Sequence, residues 1–171
     1  MNVISGRKIK ASLLLLSVMC FVMLFCGVSM SSSFPFRSIS PGAALPALSF
    51  KNIKDNAMVS TGSLKGGPAA LVFWGADMDN KKDRSLKTLA AVEESLPFLE
   101  QRKVKVLLIN AQGDSLEIIQ EVVSQLQGKL PVYIDESQKA YSDLGIFVVP
   151  SVLLVDKEGR VVSGIGFSHE F

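Results

Sequence analysis

Residues 69–82 read AALVFWGADMDNKK. The run from Ala69 to Trp74 is almost wholly apolar and short, which predicts a strand buried on both faces of a parallel sheet. Gly75 then turns the chain, and the polar run from Asp77 to Lys82 predicts the start of a helix. Carboxylates at Asp77 or Asp79 would cap orphan N–H groups and complement the helix dipole, an effect of about 0.5–2 kcal/mol. A cation site at Asp77, Asp79 and Asp83 is the sharper alternative, but the spacing lacks the glycine and closing glutamate of an EF-hand loop.

Downstream, Leu86, Leu89, Val92, Leu96 and Leu99 recur at helical spacing from Asp83 to Gln101, with Pro97 placed to kink or end the helix. Val104–Asn110 is a second apolar strand. The Gly113-Asp114-Ser115 break opens a helix with Leu116, Ile119, Val122, Val123 and Leu126 on one face, ended by Gly128. Leu130–Asp135 predicts a short strand, and Ser137–Gly145 a brief helix that stops at its glycine. Val152–Asp156, the turn Lys157-Glu158-Gly159 and Arg160–Gly164 predict a terminal hairpin. Upstream, Leu48 and Phe50 begin an edge strand or hairpin. Alternating strands and helices followed by a hairpin make a mixed central sheet with helices on its faces.

The N-terminus has a different character. Arg7, Lys8 and Lys10 precede an uncharged stretch from Ala11 to Met30. Its 20 residues would span about 30 Å as a helix, the thickness of a hydrocarbon core. The flanking cations favour a cytoplasmic N-terminus and an exported remainder. Residues 1–30 are therefore read as a membrane anchor or signal segment, residues 31–41 as a Ser/Pro linker with Phe34 and Phe36 at the membrane interface, and residues 42–171 as the domain. The expected location is the inner membrane, single-pass, with the domain on the periplasmic side; the alternative is secretion after signal cleavage.

Both cysteines of the chain, Cys20 and Cys26, lie inside that apolar segment, so the expected exported domain holds no thiol. Setting Arg7, Lys8 and Lys10 aside from the 18 basic residues leaves 15 against 16 acids. Such a near-neutral balance gives no basic stripe for nucleic acid. His169 is the single histidine, and by itself it cannot build a zinc or copper site. No cofactor is implied.

Two stretches carry a resemblance. LVFWGADMDNKK resembles the FWATWCxxCKK corner of thioredoxin-like proteins, and GIFVVPSVLLVDKEGRVV resembles their GVxxVPTxFLIDxxGxIV segment. The entry PGAALPALSF is similar to that of the redoxin (AhpC/TSA-like) branch, and the closest likeness is to membrane-anchored TlpA-like thiol-disulfide reductases. This implies a thioredoxin-like α/β fold. Family members also follow the last strand with an amphipathic helix, where this sequence reads FSHEF. That departure implies an apparently missing C-terminal helix and an apolar patch on the order of a few hundred Å².

In the family the first cysteine of the corner is a thiolate stabilised at a helix N-terminus, and the second resolves the mixed disulfide. The resemblance places Met78 and Lys81 at those positions. A thioether and an ammonium cannot do this chemistry, so the expected catalytic set is empty. Pro150 resembles the family's cis proline facing the corner, and Val149 before it would offer a backbone edge to an extended segment. Trp74, Met78, Val149 and Pro150 are accordingly the candidate peptide-binding residues. The expected function is a membrane-anchored, redox-inactive binding or assembly module whose partner is an envelope protein or extended peptide segment. The alternatives are a thiol-disulfide oxidoreductase that uses Cys20, Cys26 or a partner's thiol, and a truncated, decayed family member.

Overall fold

The computed structural model describes residues 34–76 and 79–166, with backbone alone at residues 79–81. All of them belong to the second of the chain's two units, Ser32–Phe171. The expected membrane anchor or signal segment lies outside the described residues. Among the described residues no helix is long and apolar enough to cross a membrane.

The central strand is β3 (Ala69–Trp74), the stretch predicted to be buried on both faces. Its residues are 0–5% exposed. It pairs in parallel with β4 (Lys105–Asn110) and antiparallel with β6 (Ser151–Val155). Strand β5 (Val132–Ile134) runs parallel to β4, and β7 (Val161–Gly166) returns antiparallel along β6. The entry hairpin of β1 (Ser49–Asn52) and β2 (Met58–Ser60) joins through an antiparallel β1–β5 contact. The result is one seven-stranded mixed sheet, ordered β2-β1-β5-β4-β3-β6-β7. Because side chains alternate across a strand, β3 feeds two cores. Leu71 and Phe73 join one, and Val72 and Trp74 the other.

Two helices stand where one was expected between β3 and β4. Helix α1 (Asp79–Glu94) begins at the polar run after the corner, and α2 (Leu96–Gln101) follows a break at Ser95. There the Ser95 hydroxyl donates to the Ala91 carbonyl at 2.8 Å. Pro97 occupies the first turn of α2, where its missing N–H costs nothing. Helix α3 (Leu116–Val123) is capped by Ser115, whose hydroxyl oxygen accepts from the Ile118 N–H at 3.4 Å.

Helix α3 stops short of Gly128, the expected end. Glu93, 2% exposed, reaches across from α1 and accepts the N–H groups of Gln127 and Lys129 at 2.7 and 3.0 Å. These bonds hold a non-helical turn beyond α3. Helix α4 (Lys139–Leu144) ends at Gly145, as the sequence predicts. The buried Asp135 organises its start, accepting the Ala140 N–H at 2.7 Å and the Lys139 N–H at 3.2 Å.

Residues 34–41, expected as linker, pack onto the domain. Phe36 is 3% exposed and meets the Phe73 ring edge-on, with centroids 5.9 Å apart. It also bridges to Ile146, while the Arg37 N–H donates to the Gly145 carbonyl at 2.9 Å. Phe34 and Phe36 lie over Gly164; a Cβ there would be 2.7 Å from the Phe34 ring, so the close approach requires glycine. The Ser/Pro composition concealed two aromatic residues that complete the core, and the membrane-interface expectation for them is corrected accordingly.

Candidate functional site

Strand pairing brings the two predicted motifs together. Phe73 of β3 is paired with Ser151 of β6, the last pair of that ladder, so Trp74 and Gly75 leave one strand where Val149 and Pro150 enter the other. The Val149–Pro150 peptide bond is cis. On the other side of β3, Trp74 is in register with Asn110, the last residue of β4.

The loop after β4 supports the corner. Asp114 accepts the Ala76 N–H on Oδ2 at 2.7 Å and the Asn110 side-chain amide on the same oxygen at 2.6 Å. The Ala111 N–H donates to the Trp74 carbonyl at 3.1 Å. From α1, the buried Ser85 hydroxyl donates to the Gly75 carbonyl at 2.6 Å. Gln112 lies over Gly75 in the space a Cβ would occupy, which explains a glycine there. An ion pair between Lys82 and Glu121 ties α1 to α3.

Several polar atoms behind the corner are buried without a partner among the described residues: Trp74 Nε1, Asn110 Oδ1, Gln112 Oε1, Asp114 Oδ1 and Ser151 Oγ. Leaving such a group unsatisfied costs about 1–3 kcal/mol. The Asn110, Gln112 and Asp114 side chains were not singled out in the sequence. Their signal is positional: polar residues at alternate positions from the last residue of a buried strand onward, beside a Trp-Gly corner.

Of the expected binding residues, Trp74 is 0% exposed and Val149 is 7% exposed. Pro150 is buried too. Their side chains belong to the interior, which leaves backbone as the surface they offer. Among the described residues the Val149 N–H and C=O make no hydrogen bond. Lys81 lies in the first turn of α1, and Met78 lies outside the described residues, as do Asp77 and His169. Among the described residues no three His, Cys, Asp or Glu side chains gather as a metal-ligand set.

The model of the AhpC/TSA family matches residues 41–163, most of the chain and nearly all of the fold just described. The chain belongs to the AhpC/TSA family. Its sequence is 29% identical over 102 residues to the thiol-disulfide oxidoreductase ResA of Bacillus anthracis, a match covering 60% of this chain and 56% of the relative. The ResA of a Bacillus cereus strain is 30% identical over 103 residues, with the same two shares, 60% and 56%. The match thus spans little more than half the length of these curated relatives.

Solved structures agree on the thioredoxin-like fold. The thioredoxin domain of a thiol-disulfide oxidoreductase from Bacteroides vulgatus superposes with a TM-score of 0.60 at 18% identity, covering 74% of this chain and 89% of that one. The exposed lipoprotein thioredoxin of Streptococcus pneumoniae superposes with a TM-score of 0.59 at 22% identity, covering 73% and 92%. Members of such a fold can carry unrelated activities, so function has to be argued from the corner itself.

Proposed function

We propose that this AhpC/TSA-family domain is a binding module that captures an extended peptide segment without thiol redox chemistry. The observation that carries this reading is the backbone of Val149, which makes no hydrogen bond among the described residues and lies two residues before Ser151, where the β3–β6 ladder ends beside the corner. An open backbone N–H and C=O in the bend that leads into a strand can take up an extended chain by main-chain pairing. The corner beside it has Met78 and Lys81 where the resemblance expects two cysteines. Neither residue can form or resolve a disulfide.

The partner in this reading is an envelope protein presenting an extended segment. The domain sits on the extracytoplasmic side of the membrane, held by a single span within residues 1–30. Support for that placement is the apolar stretch from Ala11 to Met30 behind Arg7, Lys8 and Lys10.

Because the Val149 side chain is buried, changing it to aspartate would damage the core and report little about the edge. The test instead alters the ligand. Octapeptides that bind the detergent-solubilised full chain are selected from an array, and each binder is then N-methylated one residue at a time. Methylation at the residue paired with Val149 is expected to weaken binding at least tenfold, and unmodified peptide should shift the Val149 and Gly75 amide resonances. Binding indifferent to methylation at every position, or no binder at all, would overturn the proposal.

A further inference from the structure

The stretch that leads into Val149 is paired with residues 35–38. Phe36 bridges to Ile146 in the antiparallel sense, the Phe147 N–H donates to the Pro35 carbonyl at 3.3 Å, and the Arg37 and Ser38 N–H groups donate to the Gly145 and Leu144 carbonyls at 2.9 and 3.2 Å. Arg37 therefore starts opposite Gly145, where an added Cβ would stand 3.1 Å from its own Cβ. Its guanidinium ends further along. The Cζ atom lies over the exposed Phe147 ring, 4.6 Å from the centroid. The side chain thus runs from Gly145 toward Val149 and stops two residues short of the open backbone.

The charge it brings there has no counter-ion. Arg37 is exposed, and its guanidinium makes no hydrogen bond or ion pair among the described residues. Asp143, two residues before Gly145, is engaged elsewhere: its carboxylate faces the Lys139 ammonium at 4.0 Å and accepts the Ser142 hydroxyl at 3.3 Å. Contact with the Phe147 ring restrains the guanidinium while its N–H donors stay open, and such donors take a carboxylate through two parallel hydrogen bonds.

Spacing decides where on a ligand that carboxylate belongs. Side chains on one side of an extended segment recur about every 7 Å, at alternate residues. A segment paired at Val149 and continuing along Phe147 brings its next same-side residue to the guanidinium.

We infer that the Val149 edge selects segments that carry a carboxylate within two residues of the one paired with Val149, and that Arg37 is the specificity-determining residue. This inference rests on the peptide-capture reading above and names the class of segment captured.

The probes are fluorescein-labelled octapeptides of alternating threonine and valine, amidated at the C-terminus, in which a single glutamate is moved one position at a time and compared with its glutamine twin. Anisotropy with the detergent-solubilised full chain is expected to show about tenfold tighter binding of the glutamate peptide at one placement, within two residues of the position where N-methylation weakens binding, with an advantage that shrinks as salt is raised. Arg37→Gln should bring the twins to equal affinity, and Arg37→Glu should favour a lysine in place of the glutamate. Because Arg37 is exposed, urea denaturation of both variants should follow the parent's. A similar gain from an unamidated glutamine peptide, also lost in Arg37→Gln, would support the same role for Arg37 with the carboxylate at a chain terminus.

Twins that bind equally at every placement, or an advantage that survives Arg37→Gln, would overturn the inference and leave peptide capture standing. Main-chain pairing accepts any sequence, so failure of every peptide to bind would overturn both.

Discussion

Asp114 holds the Ala76 N–H at 2.7 Å and the Asn110 amide at 2.6 Å on one carboxylate oxygen. The turn after β3 is thereby built on the loop after β4, through oxygen and nitrogen contacts at Ala76, Asn110 and Asp114.

Asp114→Ala is expected to leave the Ala76 N–H without its acceptor and to destabilise the domain by about 1–3 kcal/mol. Asp114→Asn, which retains an acceptor, should cost less. Urea denaturation followed by tryptophan fluorescence measures both, since Trp74 is the only tryptophan and adjoins the corner. Equal stability of Asp114→Ala and the parent would show that the corner does not depend on this carboxylate.

Phe36 tests where the domain begins. Its removal from the core in Phe36→Ala should cost about 3–5 kcal/mol, a large part of the margin by which a domain of this size is folded. Gly164→Ala should be destabilising through the same packing, because the new Cβ would meet the Phe34 ring. Chemical denaturation curves that coincide with the parent's would restore residues 34–41 to the status of a linker.

Much of this fold was legible because its signals are local. Ala69–Trp74 is an uninterrupted apolar run of strand length, and the observed strand has the same ends. The hairpin after Val155 announces itself through Lys157-Glu158-Gly159. What escaped depended on distant partners. Phe36 looks like part of a flexible Ser/Pro stretch until Phe73 and Gly164 are placed against it, and the early end of α3 cannot be read without Glu93 on another helix. At the site, Trp74 and Pro150 were legible from their motifs, and the β3–β6 pairing, which ends at Phe73 and Ser151, brings the two stretches together. The supporting side chains of Asn110, Gln112 and Asp114 were not, since polar residues after a strand look like any loop until the neighbouring corner is known.

Glu117 provides a pH test of the α3 cap. Its own backbone N–H and then the Ser115 hydroxyl hold the carboxyl below the usual glutamate range. A depressed carboxyl pKa contributes stability that is present above the unfolded-state value and is lost as pH falls through the folded-state value. NMR titration should find Glu117 ionising at lower pH than an unconstrained glutamate, and Ser115→Ala should move its midpoint upward. An unchanged midpoint in that variant would remove the hydroxyl from the account.

The most direct test of a corner that binds without redox chemistry is insulin reduction by the full chain in detergent, with dithiothreitol as the electron source. The rate is expected to equal the background without protein, in the parent and in a Met78→Ala variant alike. Turnover above background that vanishes in the Cys20→Ser, Cys26→Ser double variant would contradict the account and return the chain to thiol-disulfide exchange.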